Sequence, residues 1–106
     1  MRSILFFGLG LLGLSLSGSA DALQIIEGRV VQVEATYMPS QIPFVLSEGN
    51  ATCPAGQTLY WTGNTQENTK AIYATLISAF VSGKRIRFIM DDNDVSCRGK
   101  FIYIFD

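Results

Sequence analysis

The chain predicts a β-rich α+β domain: a small five-stranded OB-like barrel or sheet with one helix between its third and fourth strands and one disulfide. Three observations carry that expectation. Short runs with period-two alternation of apolar and polar residues recur between 23 and 106. One stretch, Thr65 to Ser82, changes to helical spacing. The only two cysteines of the 106 residues, Cys53 and Cys97, flank that stretch.

The elements follow in order. Leu23 to Tyr37 reads as a long strand, with Val31, Val33 and Ala35 alternating against Gln32 and Glu34. Gly28 interrupts it and predicts a bulge or a sharp coil. Met38 to Pro43 is a turn-rich connection, and Phe44-Val45-Leu46 is a short strand ended by Ser47 to Asn50. Thr52 to Gly56 places Cys53 in a Pro/Gly loop, and Thr58 to Thr62 is a third strand. Asn64 is positioned to cap the helix, with Glu67 three residues on as in a capping box. Ile72, Tyr73, Leu76, Ile77 and Phe80 form the apolar arc, and Gly83 is the stop. Arg85 to Met90 alternates cleanly, with Ile86, Phe88 and Met90 on one face. Lys100 to Phe105 is apolar on both faces, which predicts a central or covered strand. Five strands with a helix between the third and fourth is the order of an OB-fold, a small Greek-key barrel.

The first 22 residues have the pattern of a signal peptide. Arg2 is the basic start, Ile4 to Leu16 is a short glycine-rich apolar run, and Ala20-Asp21-Ala22 fits a cleavage site. Cleavage after Ala22 leaves a single domain over 23–106; cleavage after Ala20, or a retained N-terminal helix, is the alternative. No cysteine at the junction offers a lipid anchor, and no later segment approaches membrane length, so a secreted or periplasmic soluble protein is expected.

Without Arg2 and Asp21, seven basic residues stand against eight acidic ones. That balance argues against nucleic acid or an anionic membrane as partner. Arg85, Arg87, Arg98 and Lys100 cluster late, but Asp91, Asp92 and Asp94 lie between them and are expected to neutralise them. The chain has no histidine, which removes Ser-His and Cys-His catalysis and most zinc and copper sites. No carboxylate pair marks an acid–base site, so an enzyme is not expected. Cys53 and Cys97 read as a structural disulfide, worth about 4 kcal/mol for a loop of this length. Their spacing, without CxxC or histidine, fits neither redox nor metal work.

Two resemblances attach to these residues. The run Tyr73 to Lys84, the alternating strand after it and an Asp-rich loop holding Cys97, with Cys53 and Trp61 upstream, resembles a set of small exported bacterial proteins of uncharacterised role. It covers about Cys53 to Ile104 and implies export and fold class, not function. In element order the chain is also similar to the pentameric OB-fold B subunits of AB-type toxins, such as those of cholera toxin and subtilase cytotoxin. Those bind host glycans and line a central pore with a helix; no glycan-contact residue carries over.

Four constellations suggest sites. Tyr60 and Trp61, with Asn64, form a candidate aromatic-plus-amide platform for a sugar. The alternative places one of the aromatics in the core and leaves Asn64 as the helix cap. The outer helix face, Ala71, Ala74, Thr75, Ser78 and Ser82, is small and uncharged, which suggests a homo-oligomer contact. Asp92, Asp94 and Ser96 start like a calcium loop, but the glycine and the bidentate Glu are missing, so a solvated hairpin loop is preferred and no cofactor or metal is expected. Asn50-Ala51-Thr52 is a glycosylation sequon read as chance. The expected role is a non-catalytic binding domain for a glycan or protein ligand, or else a structural or assembly subunit docking on another protein.

Overall fold

In the computed structural model, residues 22–106 are described. The predicted leader, except Ala22, lies outside the described residues. Five antiparallel strands and one helix follow among the described residues. β1, Leu23–Val33, is the centre of the sheet. β2, Gln41–Leu46, flanks it on one side and β4, Arg85–Asp91, on the other. β3, Leu59–Thr62, lies outside β2, and β5, Gly99–Phe105, lies outside β4. The order is therefore β3-β2-β1-β4-β5. The helix α1, Gln66–Ser82, joins β3 to β4. A parallel bridge between Tyr60 and Arg98, and the hydrogen bond from Tyr60 N to Cys97 O at 2.9 Å, tie β3 to the start of β5. The two ends of the sheet meet there.

β1 shows how a strand turns its faces. Ile26 and Val30 point into the core while Ile25 is exposed. Pairing with β2 slips between Val30 and Gln32, so Val31 is the extra residue of a bulge. Beyond it the inward parity changes and Val33 packs on the core. Val31, expected on the inner side of the alternation, is 52% exposed for this reason. The bulge is not at Gly28. That glycine instead allows close approach: a Cβ there would sit 2.9 Å from Glu48 N. β1 also stops at Val33 rather than Tyr37, because the chain turns with Ser40 N bonded to Tyr37 O at 2.9 Å.

β2 begins at Gln41, earlier than its apolar run suggests, and includes Pro43. Pro43 O accepts from Glu34 N at 2.9 Å, just past the end of β1. The N and O of a strand residue face the same side, so the missing N–H also faces the end of β1 and costs no ladder bond with β3.

The helix starts one residue later than expected. Thr65, not Asn64, is its cap: Thr65 Oγ1 accepts from Asn68 N at 3.1 Å. Gly83 closes it in the left-handed conformation, φ 74°. The buried stripe is Thr69, Leu76 and Ala79, flanked by Ile72 and Tyr73. Phe80 is 51% exposed, because Ala79 takes the core position beside it.

Phe44, Phe88, Ile26, Leu59, Leu76, Ile86 and Met90 fill the interior. Phe44 and Phe88 meet edge to face, centroids 5.1 Å apart. Each such side chain contributes roughly 1.5–3 kcal/mol on burial. Cys53 and Cys97 are bonded, with Cα atoms 6.1 Å apart, and fully buried. β5, expected to be central or covered, is at the end of the strand order, and Phe101 and Tyr103 are about half exposed. Its apolar outer face belongs to an edge strand of the single chain.

Candidate functional site

An open cleft of about 340 Å³ lies where the two ends of the sheet meet, lined by Gln41, Tyr60, Ser96 and Arg98. Strand alternation puts Leu59 and Trp61 inside and leaves Tyr60 on the outer face. Gln41 reaches the same face from the start of β2, opposite Thr62. Ser96 and Arg98 come from the β4–β5 loop, more than thirty residues later in the chain.

That loop is held from several sides. The disulfide anchors Cys97, whose backbone is left-handed at φ 60°. Gln57 Nε2 donates to Cys97 Sγ at 3.1 Å. On the partner side, Asn50 Oδ1 accepts from Thr52 N and Cys53 N at 3.0 and 2.8 Å, which folds the Cys53 loop. The sequon asparagine is thus a turn residue. Asp94 organises the other end. Its carboxylate accepts from the Ser96 hydroxyl, from Ser96 N at 2.8 Å and from Arg98 N at 3.4 Å. The Ser96 hydroxyl is the largest cause that holds the Asp94 carboxyl below its ordinary value; burial opposes it, and the two amides and the Arg98 charge add to the lowering. These donors engage both carboxylate oxygens of Asp94 within its own loop.

The late charge cluster resolves differently from its sequence order. Arg87 pairs with Glu27 across β1 and β4, Lys100 Nζ is 3.6 Å from Asp91, and Lys84 Nζ is 3.1 Å from Asp106. Arg85 and Arg87 both lie 4.5 Å from the Phe105 ring centroid. The Arg98 guanidinium has no ion pair among the described residues. The cleft therefore offers one cation, a phenol, an amide and a hydroxyl: a set that hydrogen-bonds polar ligands and attracts an anionic group.

Of the predicted platform, only Tyr60 lines the cleft. Trp61 is 4% exposed, and its Nε1 donates inward to Asn68 Oδ1 at 2.9 Å, so it offers no stacking face. Asn64 is exposed, outside the cleft lining, and does not cap the helix. On the helix, Ala71, Ala74, Ser78 and Ser82 are exposed and Thr75 is half-buried. Thr75 Oγ1 and Ser82 Oγ donate to Ala71 O and Ser78 O at 3.0 and 2.7 Å, so two hydroxyls of this face are spent on the helix itself. In the sequence Ser96 reads as part of a candidate calcium loop and Arg98 as part of a neutralised basic cluster, Gln41 stands out in no way, and none of the three reads as a cleft residue. The one available signal was Arg98 beside a disulfide cysteine, a position that a crosslink holds in place.

No helix among the described residues is long and apolar enough to cross a membrane. No protein family, curated protein or solved structure matches the chain. The two resemblances drawn from the sequence therefore rest on its residues and element order alone.

Proposed function

We propose that the protein is an exported, non-catalytic binding domain of the OB-barrel type, and that the cleft between β3 and the β4–β5 loop takes a glycan. The observation that carries this reading is Arg98: a guanidinium without an ion pair among the described residues, held beside Tyr60, Gln41 and Ser96 in a crosslinked frame. A phenol ring gives a sugar a stacking surface, and the amide and hydroxyl match its alcohols. Arg98 adds preference for a saccharide bearing a carboxylate. The strand order and the Tyr60–Arg98 bridge support the barrel type. The leader-like residues and the oxidised cysteine pair support export. The absence of histidine from the chain supports a non-catalytic role.

A glycan array carrying neutral and carboxylated sugars tests the reading. Binding that Arg98→Ala and Tyr60→Ala abolish, with unchanged circular dichroism, is the expected result. An empty array sinks the glycan; binding unaffected by both variants moves it away from the cleft. A second reading, an assembly subunit docking on another protein, is favoured by exposed Phe80, Val81, Phe101 and Tyr103.

A further inference from the structure

β5 stands at one end of the strand order. Its neighbour on one side is β4, over Arg85 to Met90. On the other side, among the described residues, β3 touches it through the bridge at Arg98, before the strand begins. From there to Phe105 no described strand lies beside the edge. An open edge presents unpaired N–H and C=O groups, and proteins usually blunt it with charge or proline. Here the strand is Gly-Lys-Phe-Ile-Tyr-Ile-Phe, and Phe101, Tyr103 and Ile104 are 47%, 49% and 42% exposed.

We infer that this edge pairs antiparallel with β5 of a second copy of the chain, about a two-fold axis at Tyr103. The charges at its ends select that register. With Tyr103 facing its own copy, Phe101 meets Phe105, Ile102 meets Ile104, and Lys100 meets Asp106, each pair occurring twice by symmetry. A shift centred on Ile102 requires the edge back to Arg98, which β3 already occupies. A shift centred on Ile104 sets Asp106 against Ile102. Only the Tyr103 register matches apolar with apolar and opposite charges at both ends. The Asp106 side chain is 88% exposed and that of Lys100 49%. Their contacts within the chain, Lys84 to Asp106 and Lys100 to Asp91, are surface pairs that hold them weakly. The product is one continuous sheet through both copies, with an aromatic row of Phe101, Tyr103 and Phe105 across the seam. The interface does not include the cleft, so it stands or falls separately from the glycan reading.

Sedimentation equilibrium over a dilution series reads the assembly. A dimer is expected. Tyr103→Lys, which places two lysines face to face on the axis, raises its dissociation constant about tenfold or more. Lys100→Asp and Asp106→Lys each weaken the dimer, and the double swap restores it. Tyr103→Cys gives a dimer crosslinked by an intermolecular disulfide under oxidising conditions, which keeps the test open should the lysine variant misfold. A monomer at every concentration, a ring of more than two copies, or a dimer indifferent to these changes overturns the inference.

Discussion

The indole N–H of Trp61 donates to Asn68 Oδ1 at 2.9 Å, joining the buried side of β3 to the first turn of α1. Asn68 serves twice there, since its backbone N–H also fills the Thr65 cap. The chain between them is only a turn, so this bond sets how the helix leaves the sheet. Asn68→Ala keeps the cap but strands a buried donor, at a cost of about 1–3 kcal/mol. Asn68→Asp retains an acceptor and recovers most of the loss. Urea unfolding followed by fluorescence checks both, because Trp61 is the single tryptophan. Equal stability of the alanine variant and the parent would show that the bond carries nothing.

Gly99 opens β5 directly beneath two core rings. A Cβ at that position would run into the Phe88 ring and sit 3.0 Å from Trp61 Cε3. Gly99→Ala is therefore expected to destabilise by about 1–3 kcal/mol through overpacking. Because the clash is with Phe88, adding Phe88→Leu costs less in the Gly99→Ala background than in the parent. Thermal melts of the four proteins in the cycle measure this, and strict additivity would mean that the strain lies elsewhere.

Legibility in the sequence tracked how local the cause was. β4 was readable because its alternation, Ile86, Phe88 and Met90 inward, is complete within six residues. The disulfide was readable because there are only two cysteines. The cap missed by one position, since Asn64 and Thr65 are both good caps and only the backbone decides between them. The bulge at Val31 was hidden, because alternation on either side of it looks regular and pairing with β2 alone reveals the slip. The edge position of β5 depends on which strand ends up beside it, and an apolar strand reads the same at the centre or at a contact. The cleft was least legible. Tyr60 and Arg98 meet through a parallel bridge between the two ends of the sheet, and nothing near either residue announces that closure.

Asp94 ties the loop of the cleft to pH. Its carboxyl is held below the ordinary aspartate value of about 3.9, first by the Ser96 hydroxyl and then by the Ser96 and Arg98 amides. A carboxylate whose pKa is lower in the folded than in the unfolded chain stabilises the fold above the unfolded value. That contribution fades as pH falls through the folded value. Asp94→Asn removes the charge while retaining an acceptor for Ser96. The variant should melt below the parent by a constant margin between pH 5 and 7. The margin should narrow below about pH 4, where the unfolded chain takes up the proton that the folded carboxylate still resists. Melting temperatures of the two proteins from pH 7 to pH 2 read this directly. A margin independent of pH would assign the loop's order to the disulfide and the Tyr60–Arg98 bridge, with the Asp94 charge a bystander. A margin that closes in acid would make Asp94 the group that positions Ser96 and Arg98, and ligand binding at the cleft should then weaken over the same acid range.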